Sequence, residues 1–195
     1  VRLDELCFSG VGQRFEKVAT QSVVMCKATC FGRDLVNIPA ADLTPRDLLK
    51  QARDVARKNK LQIQVFDSAR LKRMGAHSLL SVAQGSDQPA YLIKLVYKPT
   101  GRSSRVVSLV GKGVTFDSGG LSIKTGLGMQ TMKMDMAGAA AVLACMSALA
   151  QLKPRVEVRA YIPTVENMIN GRATRPGDVV KAMNGKSIEI LNTDA

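Results

Sequence analysis

Five charged residues stand where a folded chain could gather them: Lys112, Asp117, Lys124, Asp135 and Asp194. Lys112 and Asp117 lie in GKGVTFDSGG (111–120), a glycine-rich stretch whose backbone can turn sharply and let a ligand approach closely. Lys124 follows Asp117 by seven residues, and Asp135 immediately precedes a long apolar run. Carboxylates that share a pocket repel one another unless a cation neutralises them. Divalent cations are the usual answer. A lysine that joins them as a ligand has to be neutral, and neighbouring dications supply the push that lowers its pKa. On spacing alone a second reading stands beside this one. In it Asp135 caps a helix, both lysines are solvated loop residues, and Asp194 belongs to a turn.

The elements between these residues must position them. Residues 13–32 mix apolar and charged positions and are expected to form a helix, which Asn37-Ile38-Pro39 breaks. Thr44-Pro45 supplies an N-cap followed by proline at the first helical position. Leu48, Leu49, Ala52, Val55 and Ala56 then form an apolar stripe, and the helix runs to about Lys58. Alternation over 61–66 predicts a strand, and 71–82 is helical or irregular. Short apolar runs at 91–97, 106–110, 156–162 and 187–191 predict further strands. Residues 137–152 are apolar on nearly every face, which predicts a buried helix with Cys145 inside it. Turns fall at Arg175-Pro176-Gly177-Asp178 and Asn184-Gly185. This order predicts an α/β fold, a mixed and largely parallel sheet sandwiched by helices. Lys112, Asp117 and Asp194 would then lie just after strands, where ligands bind in open α/β sheets.

Several chemistries are excluded. The one histidine, His77, rules out any site in these residues that needs two. A dinucleotide fingerprint starting at Gly111 needs glycine where Phe116 stands, and a phosphate loop ending in Gly185-Lys186-Ser187 needs glycine where Val180 stands. Ser118 lacks the glycine two residues before it that a nucleophile elbow requires. The four cysteines, Cys7, Cys26, Cys30 and Cys145, form no Cys-x-x-Cys pair and read as free thiols of a reducing compartment. With 46% apolar and 23% charged residues the chain is neither disordered nor fibrous. The net charge of +12 is spread along the chain and reads as a solvated basic surface or as a surface that meets nucleic acid. The run 136–152 is too short and too alanine-rich for a membrane span.

Three segments carry a family likeness: VGKGVTFDSGGLSIK (110–124), MKMDMAGAAAVL (132–143) and ENMINGRATRPGDVVKAMNGKSIEILNTDA (166–195). They resemble the leucyl (cytosol) aminopeptidase family, and GRDLVNIPAADLTP (32–45) is similar to the opening of its catalytic domain. The resemblance divides the chain into a helical lead-in or linker, 1–31, and the N-terminal portion of a catalytic domain of the zinc-peptidase type, 32–195. It implies a metal-dependent exopeptidase that removes a leucine-type residue from peptides with a free N-terminus. Position by position, Lys112, Asp117, Asp135 and Asp194 match metal ligands, and Lys124 matches the catalytic lysine that polarises the scissile carbonyl. Met132 and Asn192 match residues that line the pockets for substrate side chains. The implied cofactor is a pair of divalent cations, zinc first, with manganese, magnesium or cobalt at the exchangeable position.

Other expectations follow from the same likeness. The family motif continues after NTDA with Glu, Gly and Arg, of which the Glu is a shared metal ligand. Val1 and Ala195 read as cut ends, so these 195 residues alone are expected to show little activity. Family members form hexamers in the cytoplasm, and some bacterial members bind DNA, which a charge of +12 permits. The alternatives are therefore an architectural DNA-binding role or a catalytically impaired relative. His77 is assigned to surface or core, Ser118 to loop hydrogen bonding, and Glu166 and Asp178 to structural roles in turns. Several of Met129, Met132, Met134 and Met136 are expected in packing.

Overall fold

The computed structural model describes residues 7, 9, 10, 12–101 and 104–195. Helix α1 (Gln13–Asn37) is followed by α2 (Pro45–Lys58), β1 (Gln62–Asp67), α3 (Ser68–Arg73), α4 (His77–Ala83), β2 (Tyr91–Tyr97) and β3 (Val106–Val110). Then come β4 (Gly113–Asp117), α5 (Gly126–Met129), a 3₁₀ turn over Met132–Met134, α6 (Ala137–Leu152), β5 (Glu157–Asn167), β6 (Val179–Lys181) and β7 (Ser187–Glu189). The start of α2 is set chemically. The Thr44 backbone N–H and hydroxyl both donate to the Asp47 carboxylate, at 3.1 and 2.6 Å, and Pro45 needs no N–H partner. The expected stripe of Leu48, Leu49, Ala52, Val55 and Ala56 is buried.

β1 and β2 are antiparallel, as are β2 and β5, whereas β3 and β4 both run parallel to β5. The five-stranded sheet is therefore mixed. β3 lies beside residues 157–161 of β5, and β4 lies beside 164–167 of the same strand. The two form one interrupted edge, broken at Gly111-Lys112 opposite Ile162-Pro163. A proline inside a sheet removes a ladder donor, and Pro163 falls at that break. Two differences from expectation accompany this break. The strand expected to stop at Ile162 continues to Asn167, and part of the glycine-rich stretch expected as a turning loop is strand β4.

One core cluster joins Ile93, Leu95, Ala160 and Ile162 of the sheet to Leu48 and Ala52 of α2, to Met136 just before α6, and to Leu143 and Met146 within it. A smaller cluster on the other face joins Val114 and Val165 to Leu71 of α3 and Ala83 of α4. The sheet is thus flanked by helices on both faces. β6 and β7 pair with each other in a separate antiparallel ribbon, so the strand expected at 187–191 lies outside the main sheet.

Two expectations about helices need correction. α6 is not buried all round: Ala139, Ala140, Leu143 and Met146 are buried, but Ala137, Ala141 and Cys145 are exposed. Apolar sequence around Cys145 suggested burial, yet that face opens on a groove of about 750 Å³ between α1 and α6. The run 126–152 is apolar enough in composition to cross a membrane, with a mean hydropathy of 1.5, but it comprises three separate elements, and α6 packs into the core. α1 passes without interruption through residues 31 and 32. There Gly32 lies so close to α6 that an added Cβ would sit 3.2 Å from the Ala144 Cβ.

Candidate metal centre

Asp117 ends β4 and is fully buried. The β4–β5 register shifts between Val114 and Asp117, which leaves Asp117 opposite Asn167. Such irregularities re-aim a side chain at the end of a ladder. Asp117 Oδ1 accepts hydrogen bonds from the Gly119 N–H and from Asn167 Nδ2, both at 2.8 Å. Its Oδ2 accepts from the Ala195 N–H at 3.3 Å and lies 3.5 Å from Lys124 Nζ.

The loop after β4 carries Lys124 back over Asp117. Gly119 has φ +87° and Gly120 φ +62°, a left-handed conformation that side chains resist. A Cβ on Gly119 would also meet the Ser122 carbonyl oxygen at 2.5 Å. The Lys124 N–H closes the loop by donating to the Ser118 carbonyl at 2.9 Å. Lys124 Nζ then reaches Asp194 Oδ1 at 2.5 Å. Asp194 is presented by a segment that Thr193 docks onto this loop. The Thr193 hydroxyl donates to the Gly119 carbonyl and accepts from the Ser122 N–H, each at 2.8 Å. Asn192 Oδ1 accepts from the Asp194 N–H at 2.8 Å.

Asp135 belongs to the other half of the cluster, between the 3₁₀ turn and α6. The break between β3 and β4 meets the start of α6 backbone to backbone. A Cβ on Gly111 would lie 2.6 Å from the Gly138 carbonyl oxygen, and one on Gly138 would lie 2.9 Å from the Lys112 nitrogen. The two glycines allow the Lys112 carbonyl to accept the Ala139 N–H at 2.9 Å, which satisfies a donor that helix starts leave open. Lys112 Nζ lies 2.9 Å from Asp135 Oδ1 and also donates to the Ala195 carbonyl.

Charge shapes this cluster. Burial pushes the Asp135 carboxyl above its ordinary range, against the pull of Lys112. The hydrogen bond from Lys124 holds Asp194 below the ordinary carboxylate range, against burial. The same bond raises the Lys124 ammonium above its usual value, also against burial. Both shifts favour a charged Lys124–Asp194 pair.

Five of the residues singled out in the sequence therefore come together: Lys112, Asp117, Lys124, Asp135 and Asp194. Asn192 is exposed and shares a cavity of about 170 Å³ with Asn167, Thr193 and Asp194. Met132 is half-buried on the 3₁₀ turn and is not among the residues lining that cavity. Ser118 acts as the expected loop hydrogen-bonder, its hydroxyl donating to the Asn167 carbonyl at 2.9 Å. Glu166 lies in β5 rather than in a turn and accepts from the Ser86 hydroxyl. His77 is exposed at the start of α4.

Among the described residues no three of His, Cys, Asp and Glu converge on a single point, because the lysines stand between the carboxylates. One observation nevertheless fits a cation. Asp135 Oδ2 is buried and has no hydrogen-bond partner. A buried anionic oxygen without a partner is costly unless a positive charge meets it. The donor set is rich in carboxylate oxygen, which suits hard and borderline divalent ions.

Asn167 and Thr193 belong to this network as well, although their spacing in the sequence does not single them out. Asn167 carried a faint signal, since asparagine is depleted in strands and here ends an apolar one.

Residues 30–195 match the cytosol aminopeptidase family, catalytic domain. A probable cytosol aminopeptidase of Solibacter usitatus is 48% identical over 194 residues, 99% of this chain and 40% of the relative. A probable cytosol aminopeptidase of Aquifex aeolicus is 49% identical over 172 residues, 88% of this chain and 35% of the relative. The chain therefore spans about two fifths or less of the length of these relatives. Among solved structures, the bottromycin maturation enzyme BotP in complex with Mn superposes with a TM-score of 0.89 at 40% identity, covering 100% of this chain and 43% of that one.

Proposed function

The chain belongs to the cytosol aminopeptidase family, and from that premise we propose that the complete protein releases the N-terminal, leucine-type residue of peptides with the help of two divalent cations. The observation that carries the metal reading is Asp135 Oδ2, buried and unpartnered at the edge of a cluster of aspartates. In this proposal Lys112, Asp117, Asp135 and Asp194 hold the cations. Zinc is the first candidate, with manganese, magnesium or cobalt at an exchangeable position. When bound, two such cations supply Lewis acidity and make water a competent nucleophile at neutral pH.

The chain's own residues do the rest. Lys124 keeps its proton at Nζ because Asp194 accepts from it at 2.5 Å. A fixed ammonium can donate to the scissile carbonyl oxygen and meet the negative charge that grows there. Gly119 and Gly120 hold the loop that aims it, so little reorganisation is needed at the moment of reaction. Met132 and Asn192 are proposed to flank substrate side chains. The cavity beside Asn192 has Val180, Ile188 and Ile190 in its wall, which supports acceptance of an aliphatic group. Assembly as a homohexamer and a cytoplasmic location belong to the same proposal.

The test uses the complete protein and a leucine anilide. Hydrolysis should stop on chelation, return with added divalent metal, and collapse in Lys124→Ala. Activity that survives both chelation and Lys124→Ala would sink the proposal.

A further inference from the structure

We infer that Asn167 is a positioning residue for the proposed metal centre, holding two of its carboxylate-bearing segments in one geometry. Asn167 ends β5 and is only 4% exposed. Its Nδ2 donates to Asp117 Oδ1 at 2.8 Å and to the Thr193 carbonyl at 2.9 Å. A side-chain amide carries two N–H donors on one nitrogen, and here both are spent. The first donor holds one oxygen of Asp117 and leaves Oδ2 facing Lys124 and Ala195. The second holds the residue next to Asp194. The backbone of Asn167 adds to the same clamp. Its carbonyl accepts the Ser118 N–H at 3.0 Å and the Ser118 hydroxyl at 2.9 Å. Its Oδ1 lies against Gly120, where an added Cβ would sit 3.2 Å away.

The residue type matters. A lysine or arginine here would also hold Asp117, but its charge would cancel the negative charge that a cation needs. An aspartate of the same shape would present oxygen to two oxygens. A neutral amide orients the carboxylate and leaves its charge intact. Hydrogen-bond partners behind a ligand commonly contribute roughly 10- to 100-fold to metal affinity.

This inference rests on the proposed function, because it assumes that Asp117 and Asp194 bind metal. The test compares the complete protein with its Asn167→Asp and Ser86→Ala variants. Ser86→Ala removes a hydrogen bond of another buried side chain, to Glu166, which adjoins Asn167 in β5 but makes no contact with the Asp117 or Asp194 carboxylate. Mn²⁺ affinity is read by equilibrium dialysis, and the thermal midpoint of the metal-free proteins is read in parallel. Asn167→Asp should weaken Mn²⁺ binding roughly 10- to 100-fold, whereas Ser86→Ala should lower the midpoint and leave affinity unchanged. If Asn167→Asp does not fold, Asn167→Ala, which adds no charge, is read for the same two quantities. Wild-type or tighter affinity in the Asn167 variant, with or without a lowered midpoint, overturns the positioning role. Failure of the wild-type protein itself to bind Mn²⁺ overturns the metal reading, and this inference with it.

Discussion

Replacing Gly111 by alanine tests whether the backbone contact between the sheet edge and α6 builds the centre. The new methyl would lie 2.6 Å from the Gly138 carbonyl oxygen, 2.8 Å from its carbon and 2.9 Å from the Ala139 Cα. Comfortable contacts between carbon atoms begin near 3.5 Å, and all three neighbours are backbone, so no rotamer change relieves the clash. Gly111 does not have a positive φ, so its own conformation suits alanine and the resistance comes from packing alone. To make room, α6 must withdraw from the β3–β4 break. That stretches the 2.9 Å bond from the Ala139 N–H to the Lys112 carbonyl. Overpacking of this kind costs about 1–3 kcal/mol, and a backbone hydrogen bond contributes about 1 kcal/mol more. The sum, about 2–4 kcal/mol, lowers a urea midpoint by about 1–2 M if the denaturant slope is near 2 kcal/mol per M. Gly126→Ala is the control, since its Cβ would meet nothing within 4 Å. The assay is urea unfolding of the metal-free protein followed by circular dichroism, with Mn²⁺ affinity measured on the same samples. Gly111→Ala should fall in both, because Lys112 and Asp135 sit on the two sides of the displaced contact. A midpoint equal to that of Gly126→Ala would refute the close-packing argument.

Other outcomes are expected from the same geometry. Lys124→Gln should lower turnover roughly 10²- to 10³-fold, as loss of an oxyanion donor does, while the protein still binds Mn²⁺; loss of metal together with turnover would assign Lys124 to metal binding instead. Asp135 has a folded pKa above its unfolded one. Its contribution to stability is therefore best in acid and is lost as pH rises through the raised value. Metal-free Asp135→Asn should accordingly gain midpoint relative to wild type as pH climbs from 4 towards 8, and a difference independent of pH would contradict the burial argument. Asp47→Ala removes the acceptor of both Thr44 bonds and should cost about 1 kcal/mol, read as a shift of the thermal midpoint with metal affinity unchanged.

Much of the local structure was legible in the sequence because it is set by neighbours in the chain. The boundaries of α2 follow from Thr44, Pro45 and an apolar stripe of helical spacing, and β2, β3 and α6 follow from apolar runs bounded by turn residues. The glycines of β4 suggest a turning loop, whereas Gly113 serves close packing: a Cβ there would lie 2.6 Å from the Pro163 carbonyl oxygen. The apolar run around Cys145 suggests burial, but composition reports polarity, not which face of a helix a neighbour covers.

The types and order of the charged residues were determined by the sequence alone, and so was the exclusion of any site needing two histidines. Tertiary structure alone decided how those charges meet. Asn167 reaches Asp117 across 50 residues, and Thr193 reaches Gly119 across 74. No local periodicity encodes such contacts. They depend on two strands ending side by side, on a break opposite Pro163, and on two glycines that let a helix start touch a sheet edge. Those are properties of packing, and they leave one oxygen of Asp135 buried without a partner.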